Sequence, residues 1–124
     1  MSIKFHQIEG RTGLNEAITI TPQGEPGKGG AHVRYVLEMK GPNHEMHQAI
    51  HFQNGPIAGP DDFNGWTNEA MIAILMHRME GFINGPFKHQ ANQDAFDHLN
   101  GAMIALKSRT LERSSRGVEG QHVT

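Results

Sequence analysis

Cysteine is absent from this 124-residue chain, which excludes disulfide scaffolds, thiol nucleophiles and cysteine-ligated zinc. A strong charge of either sign is absent too. Eleven Lys and Arg stand against thirteen Asp and Glu, for a formal net charge of -2, which argues against broad charge-driven binding to DNA or to anionic membranes. No apolar run approaches a membrane span, and Met1 to Gln7 lacks the charged start and apolar centre of a signal peptide. The expectation is a soluble, unexported protein. Also missing are a Walker sequence, GxGxxG, GxSxG and any paired-carboxylate constellation, so nothing supplies a nucleophile with its base. Binding is favoured over catalysis, and no cofactor is expected. What is present suffices for a fold: Leu, Ile, Val and Phe total 26 residues, and a chain of this length buries about two-thirds of its unfolded surface without metal or disulfide.

The chain has two textures. Ten of its fifteen glycines and five of its six prolines fall in the first 65 residues, cutting that part into short pieces. Ile18 and Ile20 alternate with Thr19 and Thr21; Val33, Tyr35, Leu37 and Met39 alternate with Arg34, Val36 and Glu38; Ile50 and Phe52 oppose His51 and Gln53. That is the period of half-buried strands, and Ile3 to Ile8 is a weaker fourth candidate. Pro22 to Gly30 reads as a flexible connection. From Thr67 the breakers vanish, and Asn68 to Glu80 reads as a helix with Thr67 as N-cap. Gly81 and Asn84-Gly85-Pro86 interrupt it, and Pro86 suits the first position of a second helix running to about Ser115. Phe96, Leu99, Met103, Leu106 and Thr110 mark that helix's apolar seam. The expected fold is α+β, with a small amino-terminal antiparallel sheet over 1–63 followed by an antiparallel helical hairpin over 64–124. Ala70 to Leu75 is apolar on every side, more than one sheet and one helix can cover, so self-association is expected.

Nine histidines are an unusual number, and His44, His47 and His51 have metal-like spacing. The segment leads into the strand-like Ala49 to Phe52, however, where His47 and His51 share a face and His44 does not, so no metal site is expected. Lys107, Arg109, Arg113 and Arg116 form the one concentrated positive patch. A solvated helix end compensating the dipole accounts for such a cluster, and so does a phosphate site, because guanidinium forks match phosphate oxygens. Phe82 and Phe87 bracket the hairpin turn, and Trp66 stands beside the first helix. Aromatics are usually core, but an exposed Phe82 ring would stack on a purine, and the Asn92 amide would pair with a base edge.

Asn64-Gly65-Trp66-Thr67-Asn68-Glu69-Ala70, Met79-Glu80-Gly81-Phe82, Gly85-Pro86-Phe87, Lys107-Ser108-Arg109-Thr110 and Arg116-Gly117-Val118-Glu119-Gly120-Gln121-His122 together resemble the hairpin shared by two phage sponge families. One is the first-described Thoeris anti-defence family, which sequesters cyclic ADP-ribose isomers made by TIR-domain proteins; the other is the anti-CBASS sponge, which sequesters cyclic oligonucleotides. The strand-rich segment before the hairpin makes the Thoeris family the closer match. The resemblance implies a homodimer or homohexamer in the host bacterial cytoplasm that holds glycocyclic ADP-ribose between subunits without cleaving it. It places Phe82 on the adenine, Asn92 in hydrogen bonding and Arg109 toward phosphate, with Arg113 and Arg116 added from helical phase. Neither DNA nor a membrane is an expected partner. Cyclic trinucleotides are the alternative cargo; a signal-cleaving enzyme and a purely structural oligomer are the alternatives of other classes.

Overall fold

The computed structural model describes residues 2–8, 15–43 and 45–115, of which 113–115 are described by backbone alone. The chain divides into two compact units, Met1–Gly55 and Pro56–Thr124. As the alternation and the breaker-free stretch imply, the architecture is α+β: a three-stranded antiparallel sheet, then two helices.

In the first unit β1 (Ile18–Gln23), β2 (Arg34–Lys40) and β3 (Glu45–His51) lie in the order β1-β2-β3. Ile20 opposes Leu37, and Tyr35 opposes Ile50, so the alternating apolar residues share one face. Beyond β3, Phe52 donates its N–H to the Val33 carbonyl at 2.7 Å, and its ring meets Tyr35 edge-on, centroids 5.6 Å apart. The most buried described strand residue is nevertheless Val36, on the opposite face, in a row between Thr21 and Ala49. It sits mid-way along the central strand, flanked on both sides by neighbours, so its small side chain is covered where the edge strands' are not.

Two expectations change here. Ile3 to Ile8 makes a single bridge rather than a fourth strand: the Ile3 N–H donates to the Ile20 carbonyl at 2.9 Å. The chain then turns away, with the Gln7 N–H donating to the Lys4 carbonyl and His6 Nε2–H to the Ile18 carbonyl at 2.7 Å. Alternation alone could not register that turn. The connection from Pro22 to Gly30 is also better ordered than its composition implies. Gly27 N–H donates to the Ala31 carbonyl at 2.7 Å, Gly30 N–H to the Gly27 carbonyl at 3.0 Å, and Lys28 N–H to Asn54 Oδ1 at 3.0 Å. A Cβ on Gly27 would stand 2.7 Å from both Asn54 Oδ1 and Val33 Cγ2. Gly27→Ala should therefore cost about 1–3 kcal/mol by overpacking, read as a lower urea midpoint; an unchanged midpoint would show that the loop does not close this way.

In the second unit α1 (Asn68–Ile83) and α2 (Gln90–Ser115) are joined by six residues, a length that turns the chain back on itself. Of the expected α2 seam, Met103 is buried and Phe96, Leu99 and Leu106 are half-buried, whereas Thr110 is exposed. Helix lengths give the reason. At roughly 1.5 Å per residue the 16 residues of α1 span about 24 Å and the 26 of α2 about 39 Å, so the end of α2 runs past α1 and has nothing of that helix to pack on. Ile74, Leu75 and Ile104 remain 56%, 46% and 60% exposed. No helix among the described residues is long and apolar enough to cross a membrane.

Candidate functional site

Local capping fixes where the candidate residues stand. Thr67 Oγ1 accepts the Ala70 N–H at 3.1 Å and so satisfies one of the donors that every helix start leaves unpaired. α1 then runs through Gly81, which sequence reading took as an interruption. A lone glycine costs a helix only about 1 kcal/mol, and a Cβ there would meet nothing within 4 Å. The stop comes later, where Asn84 N–H donates to the Glu80 carbonyl at 3.0 Å and Gly85 N–H to the Phe82 carbonyl at 3.2 Å. Gly85 is required at that exit, since a Cβ would lie 2.9 Å from the Gly81 carbonyl oxygen. Phe82 thus occupies the last turn of α1, with its ring 46% exposed.

The second helix begins at Gln90, not at Pro86. Its opening is set by His89, whose Nδ1 accepts the Ala91 N–H at 3.0 Å while its carbonyl accepts the Asn92 N–H at 3.0 Å. The imidazole does the work usually given to a Ser, Thr, Asp or Asn side chain, and so His89 is a residue that the sequence reading missed; its own type gives no such signal. Gln90 Nε2 to Asp94 Oδ1 at 3.0 Å and Gln93 Nε2 to Asp97 Oδ1 at 2.9 Å reinforce the first turns. Asn92, half-buried in the first turn, has its backbone N–H occupied by the His89 carbonyl. His89→Ala should cost about 1 kcal/mol and fray this turn, and His89→Asn should restore it. Hydrogen exchange at Ala91 and Asn92 checks this; equal protection in the alanine variant would contradict the cap.

The hairpin brings Phe82 and Asn92 to the same end, on either side of the six-residue turn. It does not bring Arg109 to them. Seventeen residues of continuous α2 separate Arg109 from Asn92, about 26 Å along the axis, far beyond the reach of an arginine side chain. Arg109 is exposed, on the part of α2 that outruns α1. Arg113 continues the same helix, with its side chain outside what the structure describes, and Arg116 lies outside the described residues altogether. Trp66 and Phe87 are 62% and 89% exposed, so neither belongs to a core in this chain. No group of three or more His, Asp or Glu among the described residues is arranged to hold a metal ion; His44 lies outside them, and His47 and His51 are exposed on one face of β3.

No family model matches the chain. It is 40% identical over 73 residues to a curated protein named Thoeris anti-defense 1, from Bacillus phage SBSphiJ7. That stretch is 59% of this chain and 51% of the other, so the chain spans about half the length of the relative it matches. The chain is therefore a relative of the Thoeris anti-defence family, the one that its helical motifs resemble.

Proposed function

We propose that this protein counters Thoeris immunity by binding glycocyclic ADP-ribose made by TIR-domain proteins and holding it intact, in the cytoplasm of the infected bacterium. The observation that carries this reading is the division of the candidate site. A platform for a purine, Phe82 with Asn92, stands at one end of the hairpin, and the cationic end of α2 stands about 26 Å away. One nucleotide spanning base and diphosphate cannot touch both within a chain. It can where the Arg109 end of a second copy meets the Phe82 end of the first, so the site is a joint one and the protein a homodimer or a homohexamer. Ile74, Leu75 and Ile104 are apolar surface for that association.

Such a site suits capture. Walls made of helices already formed lose little entropy on binding, which favours tight and slow-releasing complexes. Planar rings and amides recognise the base, guanidinium groups the diphosphate. The test is chemical: saturate the purified protein with glycocyclic ADP-ribose, remove excess, denature by heat and chromatograph the supernatant. Unaltered ligand in stoichiometric amount is expected. A changed nucleotide would mean an enzyme, while retention of a cyclic trinucleotide and no ADP-ribose isomer would make that the cargo.

A further inference from the structure

Arg78 lies one turn before Phe82 on α1, and its guanidinium carbon stands 5.5 Å from the centre of the Phe82 ring. Both side chains are exposed. The α1 positions three and four residues to either side of Arg78 are Ile74, Leu75, Gly81 and Phe82, so the helix surface around it offers no carboxylate for an ion pair. Nor does Arg78 compensate the helix dipole from the final turn, which holds no basic residue. What the structure gives this cation is a ring.

The 5.5 Å from guanidinium carbon to ring centre is an ordinary cation–π contact. Because Arg78 is long and exposed, it can rotate off the ring to admit a base, and its planar guanidinium stacks on nucleobases as readily as on aromatic rings.

We propose that Arg78 and Phe82 form a two-sided clamp in which the purine enters between ring and guanidinium; this rests on the reading of Phe82 as the adenine platform. Phe82 supplies one face and Arg78 the other.

The test is calorimetric titration of the full chain with glycocyclic ADP-ribose, using wild type, Arg78→Ala, Arg78→Lys and Phe82→Ala. Arg78→Ala should weaken binding about tenfold. Arg78→Lys should be nearly as weak, since an ammonium keeps the charge but has no plane to stack. Melting temperature and oligomeric mass should stay at wild-type values, and the bound adenine should show less hypochromism at 260 nm at saturation. Wild-type affinity in Arg78→Ala beside lost affinity in Phe82→Ala would overturn the clamp and leave the ligand assignment standing. Full recovery in Arg78→Lys would overturn it in favour of charge alone, and a lowered melting temperature in Arg78→Ala in favour of a structural contact. A wild-type protein that bound no ADP-ribose isomer would overturn the clamp and the assignment together.

Discussion

Phe82→Ala should weaken binding of glycocyclic ADP-ribose between about tenfold and a hundredfold while leaving the fold intact. Stacking one base on an aromatic ring contributes roughly 1–3 kcal/mol by alanine substitution, which sets that range. The ring is 46% exposed at the end of α1, so little core is lost with it. The turn that follows is held by the Asn84 and Gly85 backbone bonds and by the lack of a Cβ at Gly85. Calorimetry on the variant, alongside its melting temperature, separates the two effects. Wild-type affinity would remove Phe82 from the site, whereas a collapse of stability would show that the ring is structural.

Arg109→Ala should produce a loss of similar size by a different route. A charge-assisted bond from guanidinium to a phosphate oxygen contributes about 1.5–3 kcal/mol, so roughly ten- to a hundredfold weaker binding is expected with the subunit count unchanged. Because this contact is ionic, wild-type affinity should fall with added salt, and the Arg109→Ala affinity should fall less steeply. Equal salt dependence in the two proteins would mean that Arg109 is one more solvated cation at a helix end.

The sheet could be read from its alternation because side chains on a strand have period two, and the register of Ile20 with Leu37 and Tyr35 with Ile50 keeps the apolar residues on one side. The start of α1 was equally legible, since Thr67 is a cap residue at the edge of a breaker-free run. Its end was not. Gly81 and Pro86 are weak local preferences, and the chain overrode both: the helix passes through one and the next begins four residues after the other, where the His89 ring happens to reach the Ala91 N–H. Ile3 to Ile8 failed as a strand for a related reason, because pairing depends on a turn and a partner that alternation does not encode.

The candidate site divides in the same way. Phe82, Asn92 and Arg109 were visible as residue types suited to a base, a base edge and a phosphate. The distance of Arg109 from the other two becomes apparent only when α2 is known to be one unbroken helix, because distance along a helix follows from length and not from residue type. The contact between Arg78 and Phe82 is likewise a matter of rotamer: helical spacing brings a pair four residues apart within reach, and the side-chain angles decide whether they meet or splay.

The most direct measurement is a complementation titration. Phe82→Ala and Arg109→Ala chains, each impaired alone, are dissociated, mixed in equal amounts, reassembled and titrated with glycocyclic ADP-ribose under native mass spectrometry. In a joint site, each contact between unlike chains gives one site with both residues restored and one with neither. Mixed oligomers should therefore regain wild-type affinity at half the sites formed between unlike chains. If mixed oligomers bind no better than either variant by itself, the ligand is not shared between the Phe82 end of one chain and the Arg109 end of another, and the proposed trap is wrong.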